Sequence, residues 1–205
     1  MNEVLGLRER KKRERRESIE AAALDLFEAE GFCKATVEDI AAAADIAPRT
    51  FFSYFPTKED VVLADYAGRL ERITDELDKR PADEVPWFAV RASFLRVARD
   101  YEAQREELVR RFTIIAANPS VYARSLQLQA GWEDELAKVL TRRMNTESED
   151  LAPRLLAAAA LACMRSTLRH WLATGHETSL PELVARCFDQ LSDGLGHQFG
   201  LGDQF

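Results

Sequence analysis

TVEDIAAAADIAPRTFFSYFPTK, residues 36 to 58, spells two short helices joined by a tight turn and closed by an aromatic cluster. Thr36 is placed to N-cap the first helix, because its hydroxyl can accept the N–H of Asp39 in a capping-box variant. Val37, Ile40, Ala41 and Ala44 then fall at i, i+3, i+4 and i+7, one apolar stripe whose alanines let a second helix cross closely. Asp45 stands at the turn, where a left-handed backbone suits Asp better than most non-glycine residues. Ile46 is expected to plug the angle between the helices. Pro48, with its fixed φ and no N–H, starts the next one. Arg49, Thr50 and Ser53 would lie on its outer side. This is the layout of a helix-turn-helix, whose second helix enters a DNA groove.

Carried by Thr36, Ile40, Ala41, Ala44, Ile46, Thr50, Phe51, Phe52, Tyr54, Phe55, Pro56, Thr57, Lys58 and Glu59, the segment resembles the DNA-binding domain of the TetR (tetracycline repressor) family of bacterial transcription regulators. The resemblance spans roughly residues 13 to 62. Three positions depart from the family pattern: Asp45 stands for the common turn Gly, Ala47 for the usual Ser or Thr cap, and Phe52 for the usual Tyr. Ala47 forgoes a cap worth about 1 kcal/mol. Phe52 has no hydroxyl for a phosphate.

The chain has 205 residues and a formal charge of −7. That charge is unevenly spread. Residues 8 to 16 carry seven basic side chains against two acidic ones, a local +5 that leaves −12 for the rest. An acidic body with a basic arm orients a molecule toward phosphates while limiting non-specific sticking. Within that arm Arg13 is a candidate DNA contact. The sequence shows no signal-peptide pattern, and its longest apolar run, Leu155 to Met164, is shorter than the roughly 20 residues that span a bilayer. These features point to the cytoplasm and to no membrane partner. Cys33, Cys163 and Cys187 are widely spaced without a C-x-x-C pair, as buried thiols are.

Helical periodicity runs through the chain and strand signals are almost absent, which predicts an all-α fold. The expected organisation is a three-helix DNA-binding head over residues 1–60 with a basic N-terminal arm, then a helical ligand-binding and dimerisation domain over 61–205. The first helix is expected from Lys11 to Glu30, with Ile19, Ala22, Ala23, Leu26 and Phe27 on its inner face and Gly31 as its stop. One longer helix is expected to carry Val62, Tyr66, Leu70, Ile73 and Leu77 up to Pro81. Four or five more follow, broken at Asn118-Pro119 and Gly175. Leu155 to Met164 is apolar around its circumference and must be covered on several sides. Gly194 to Phe205 is expected to be a tail.

The resemblance implies a homodimer built on the last two long helices, a double-stranded palindromic operator, and a small-molecule effector enclosed by the C-terminal helices. Recognition helices of such a dimer must sit about 34–36 Å apart. Base-edge readout is assigned to Arg49 and Thr50, with Pro48 against a thymine methyl, since arginine's fork matches guanine's two acceptors. Thr36, Ser53, Tyr54 and Lys58 are assigned to phosphates. The effector pocket is assigned to Trp87, Arg91, Phe94, Phe112, Ile115, Trp132, Met164 and Arg165. Core arginines Arg91, Arg111, Arg165 and Arg169 among apolar residues favour a neutral or anionic apolar ligand. The stretch Arg105 to Phe112 also resembles the TetR subgroup that includes the mycofactocin-system regulator, which implies an effector of acyl-CoA type. No cofactor or metal site is expected, since Glu133, Asp134 and Glu135 are adjacent and diverge. No H-E-x-x-H, G-x-S-x-G or P-loop pattern supports an enzyme. A helix-turn-helix kept as a protein-interaction adaptor is the remaining alternative, disfavoured by the basic arm and Arg49.

Overall fold

A computed structural model describes residues 6–147 and 149–194. Among the described residues, ten helices run α1 (Leu7–Glu30), α2 (Val37–Ala43), α3 (Pro48–Phe51), α4 (Lys58–Val62), α5 (Tyr66–Asp78), α6 (Pro86–Ala103), α7 (Arg105–Ala117), α8 (Pro119–Met144), α9 (Leu151–Ala173) and α10 (Leu180–Ser192). The described residues contain no strand. They form two compact units. One takes the chain as far as Asp65 together with Arg110–Leu126; the other takes Tyr66–Val109 and the described residues from Gln127 onward. The division expected at residue 60 is contiguous in sequence, whereas these units are not.

In the first unit, α1 begins four residues before the expected Lys11, so the basic arm is helix. Pairs one turn apart support it: Arg10 with Glu14, Arg13 with Glu17, and Arg16 with Glu20. Its inner face is Ile19, Ala23, Leu24 and Phe27; Ala22 and Leu26 are half-buried, a slight rotation from the expected stripe. Gly31 ends it at φ 90, a conformation open to glycine, with its N–H on the Phe27 carbonyl. Thr36 and Asp39 form a reciprocal capping box at the start of α2. Asp45 takes φ 53, and Pro48 opens α3. Ile40, Ala41, Phe51 and Phe55 are buried.

The single long helix expected from Val62 to Leu77 is two. Leu63, Ala64 and Asp65 form a turn between α4 and α5. A second capping box, Thr57 with Asp60, starts α4 and repeats the Thr-x-x-Asp spacing of residues 36–39.

The side chains of 110–126 explain why that stretch belongs with the N-terminal helices. Arg111 is 3% exposed and donates to the carbonyls of Val61 (2.9 Å) and Val62 (3.2 Å) and to Glu20 (2.8 Å). Arg110 pairs with Asp25 and Glu28, and Arg124 with Asp60. Burial raises the Glu20 carboxyl above its ordinary range, with the Arg111 and Arg16 guanidinium groups pulling the other way.

In the second unit, α6 packs against α5, α9 and α10, and α9 against α10. Val90, Phe94, Val97, Trp171, Leu180, Val184 and Phe188 are fully buried there. α9 is long and apolar enough to cross a membrane by length and composition, with 44% of its most apolar window buried in the protein. Its packing on α6 and α10 is that of a core helix. Trp171, Glu102 and Arg105 hold the turn into α10: the indole donates to the Thr178 carbonyl, Glu102 accepts from Ser179 and the Leu180 N–H, and Arg105 donates to the His176 carbonyl. That turn is tight enough to place His176 at φ 64.

Candidate DNA interface

Helix α3 is short because Ala47 supplies no side-chain cap and the chain turns off again after Phe51. Phe51 is fully buried and anchors the helix from below. Pro48, Arg49, Phe52 and Ser53 are exposed, and Thr50 and Tyr54 half-buried. The Ser53 hydroxyl donates to the Arg49 carbonyl at 3.5 Å.

Beside this helix lies a basic surface of α1. Arg8, Lys11, Lys12 and Arg15 fall at i, i+3, i+4 and i+7 of α1, hence on one face. Together with Glu14, Ser18, Thr50, Ser53 and Tyr54 they line an open cleft of about 850 Å³. None of the four has an ion pair among the described residues, while Arg10, Arg13 and Arg16 are each matched to a glutamate. α1 therefore carries two kinds of cation, those matched to a glutamate and those left unmatched, and the unmatched ones dominate the larger cleft. Positive charge at a helix N-terminus also opposes the helix dipole, and only Glu9 counters it in the first turn. A polyanion laid in the cleft would relieve both.

The expected residues divide. Arg49, Thr50, Pro48, Ser53 and Tyr54 are brought together on or beside α3. Arg13 is exposed, lines a smaller neighbouring cleft and pairs with Glu17 at 3.7 Å. Thr36 does not have the free donor that a phosphate contact needs. Its hydroxyl donates to Asp39 Oδ2 (2.5 Å), its N–H donates to the same oxygen (2.9 Å), and it accepts the Asp39 N–H. These bonds hold the Asp39 carboxyl below its usual range. Lys58 is also engaged internally: its ammonium donates to the carbonyls of Phe32 (2.8 Å) and Ala35 (3.2 Å) and lies 4.5 Å from the Phe32 ring centroid. Only one of its three hydrogens remains for a phosphate.

The expected effector residues are dispersed. Phe112 and Ile115 lie in the first unit, and the other six in the second. Trp87 and Phe94 stack on Phe188 at 4.9 and 5.6 Å. Arg91 closes a two-point ion pair with Asp189 at 2.8 and 2.9 Å, so its charge is already matched. Trp132 stacks on Tyr66, Arg165 donates to Gln129, and Met164 is buried. The Trp87 Nε1 is buried without a hydrogen-bond partner among the described residues. Arg69, which sequence reading passed over, is 4% exposed between the Tyr66 and Tyr101 rings at 5.2 and 4.8 Å. Tyr66, one turn before Arg69 in an apolar stripe, was its only local signal; Tyr101 is brought in by α6.

Residues 19–64 match the model for bacterial regulatory proteins of the tetR family, and residues 84–196 match the MftR C-terminal domain. The chain belongs to the TetR family. Two relatives agree. One is the protein assigned as mycofactocin biosynthesis transcriptional regulator MftR of Mycobacterium tuberculosis, 32% identical over 86% of this chain and 89% of that one. The other is the HTH-type transcriptional regulator TcmR of Streptomyces glaucescens, 32% identical over 93% of this chain and 86% of that one. Among solved structures, the Thermus thermophilus TetR-family repressor FadR in complex with lauroyl-CoA is similar with a TM-score of 0.58 and 26% identity, covering 87% of this chain and 94% of that one. This TetR-family chain is thus a DNA-binding transcriptional regulator and not an enzyme, with a mycofactocin-regulator-like C-terminal part.

Proposed function

We propose that this regulator acts in the cytoplasm as a homodimeric repressor, binds a palindromic operator, and is released by an effector of acyl-CoA type. The observation that carries the DNA half is the unpaired basic face of α1 set across a cleft from Thr50, Ser53 and Tyr54. In this reading Arg8, Lys11, Lys12 and Arg15 hold phosphates, while Arg49 and Thr50 reach base edges. Ser53 and Tyr54 contribute further phosphate contacts. Residues 1–60 supply the head and 61–205 the sensing and dimerising body.

Dimerisation is assigned to α9 and α10. Leu151 and Leu155, one turn apart on α9, are 69% and 62% exposed, and half-buried Ala158, Ala159 and Ala162 continue the line. A partner helix pair would remove that apolar surface from water. The likeness to FadR in complex with lauroyl-CoA supports this choice of effector class. Release requires only that the ligand prefer the arrangement that binds DNA poorly.

The test is selection of genomic fragments by purified protein, followed by footprinting with and without lauroyl-CoA. A palindromic footprint lost on adding the thioester supports the whole reading. A footprint indifferent to it discards the effector class, and absence of any sequence-selective footprint at low salt discards the regulator's proposed mode. Arg49→Ala should relax base preference at one position per half-site.

A further inference from the structure

Phe52 is the one large apolar side chain among residues 31–65 that stands out in solvent, at 55% exposure. It follows directly on Phe51, which is fully buried. The two rings meet edge to face, with centroids 5.5 Å apart and planes at 88°, so the inner edge of Phe52 is held by the core while its outer part is bare. Helical spacing places Pro48 one turn before it, at i−4, and Arg49 beside it, at i−3. An apolar pair, Pro48 and Phe52, therefore stands beside Arg49 on the exposed side of this turn.

A ring without a hydroxyl can neither donate to a phosphate nor pair with a base edge. The apolar group that a major groove offers is the 5-methyl of thymine. We propose that Phe52 is a specificity-determining residue that packs on a thymine methyl beside the base pair read by Arg49. The inference rests on α3 being the DNA-reading helix. Because Phe51 already holds the ring, little side-chain freedom is lost when the contact forms.

The test substitutes deoxyuridine for each thymine of the selected operator in turn, which removes the methyl and leaves the Watson–Crick edge unchanged. Affinity of the full-length protein is read by fluorescence anisotropy. At one position per half-site the loss should be roughly four-fold, and about fifteen-fold when both half-sites are changed. Phe52→Ala should bind the unmodified operator more weakly and show no loss at that position; Phe52→Leu, which keeps an apolar side chain, should retain part of it. Far-UV circular dichroism of both variants should match the parent, as expected for an exposed position. A uracil scan without effect, or an equal loss in Phe52→Ala, overturns the proposal while leaving DNA binding intact. Failure of the underlying reading would look different, since the unmodified operator would then not be bound selectively at all.

Discussion

Neutralising Lys11 and Lys12 together tests the division of the α1 cations into unmatched ones that hold phosphates and ones matched to a glutamate. Both lysines lie on the cationic face that lines the cleft with Thr50, Ser53 and Tyr54. In a dimer the double change to glutamine removes four cationic contacts. Each phosphate contact contributes about 0.9 to the slope of log K against log salt, so the slope should flatten by about 3.6. Between about 50 and 200 mM salt, the variant should then lose roughly 150-fold less affinity than the parent loses. Anisotropy titrations on the operator at a series of KCl concentrations measure this directly. The control is Arg10→Gln with Arg13→Gln, the same change in charge at two arginines matched to Glu14 and Glu17 at 3.7 Å. Its slope should change by less than about 2, because those charges are already matched. Equal flattening by the two variants would refute the distinction between the two kinds of cation, and no flattening by the first would refute the cleft as a phosphate site.

Arg111→Met should destabilise the protein by about 1–3 kcal/mol in chemical denaturation, because it leaves the Val61 and Val62 carbonyls without their donor and the half-buried Glu20 carboxylate with Arg16 alone; a loss under about 0.5 kcal/mol would contradict that burial-driven cost. Burial raises the Glu20 carboxyl, so as pH rises through the glutamate range the unfolded chain releases this proton first, and the group's contribution to stability declines with rising pH. The stability of the parent relative to Glu20→Gln should accordingly fall between about pH 4 and pH 7, and a rise would reverse the assigned sign. Thr36→Ala should cost about 1 kcal/mol of stability through the lost capping box, while the salt slope of operator binding stays at the parent value; a flattened slope would restore Thr36 to the phosphate contacts. The neighbouring Cys163 and Thr167 side chains hold the Cys187 thiol below the ordinary thiol range, and Cys187 with burial pushes Cys163 above it. Iodoacetamide mapping should find Cys187 alkylated half-maximally at a pH below the free-thiol pKa of about 8.5 and Cys163 untouched while folded; a Cys187 profile centred at the free-thiol value would remove the pairing.

What the sequence determined by itself is local. The capping box at Thr36, the left-handed turn at Asp45, the start at Pro48, and the stops at Gly31 and Asn118-Pro119 each depend on a few neighbouring residues, so their chemistry was legible without a fold. The Thr57 box and the face shared by Arg8, Lys11, Lys12 and Arg15 were equally local and follow from spacing alone. Tertiary structure decided which charges remain available. Lys58 is tied to carbonyls 26 and 23 residues earlier, Arg111 to a glutamate 91 residues away, and Arg91 to an aspartate 98 residues on. Nothing in the neighbourhood of those residues distinguishes them from Arg49 or Lys12. A long cationic side chain reaches whichever acceptor packing brings near it, and burial penalises it until it does so. Local propensity sets where helices begin and end; only the assembled core sorts charges that hold the protein together from charges left facing a partner.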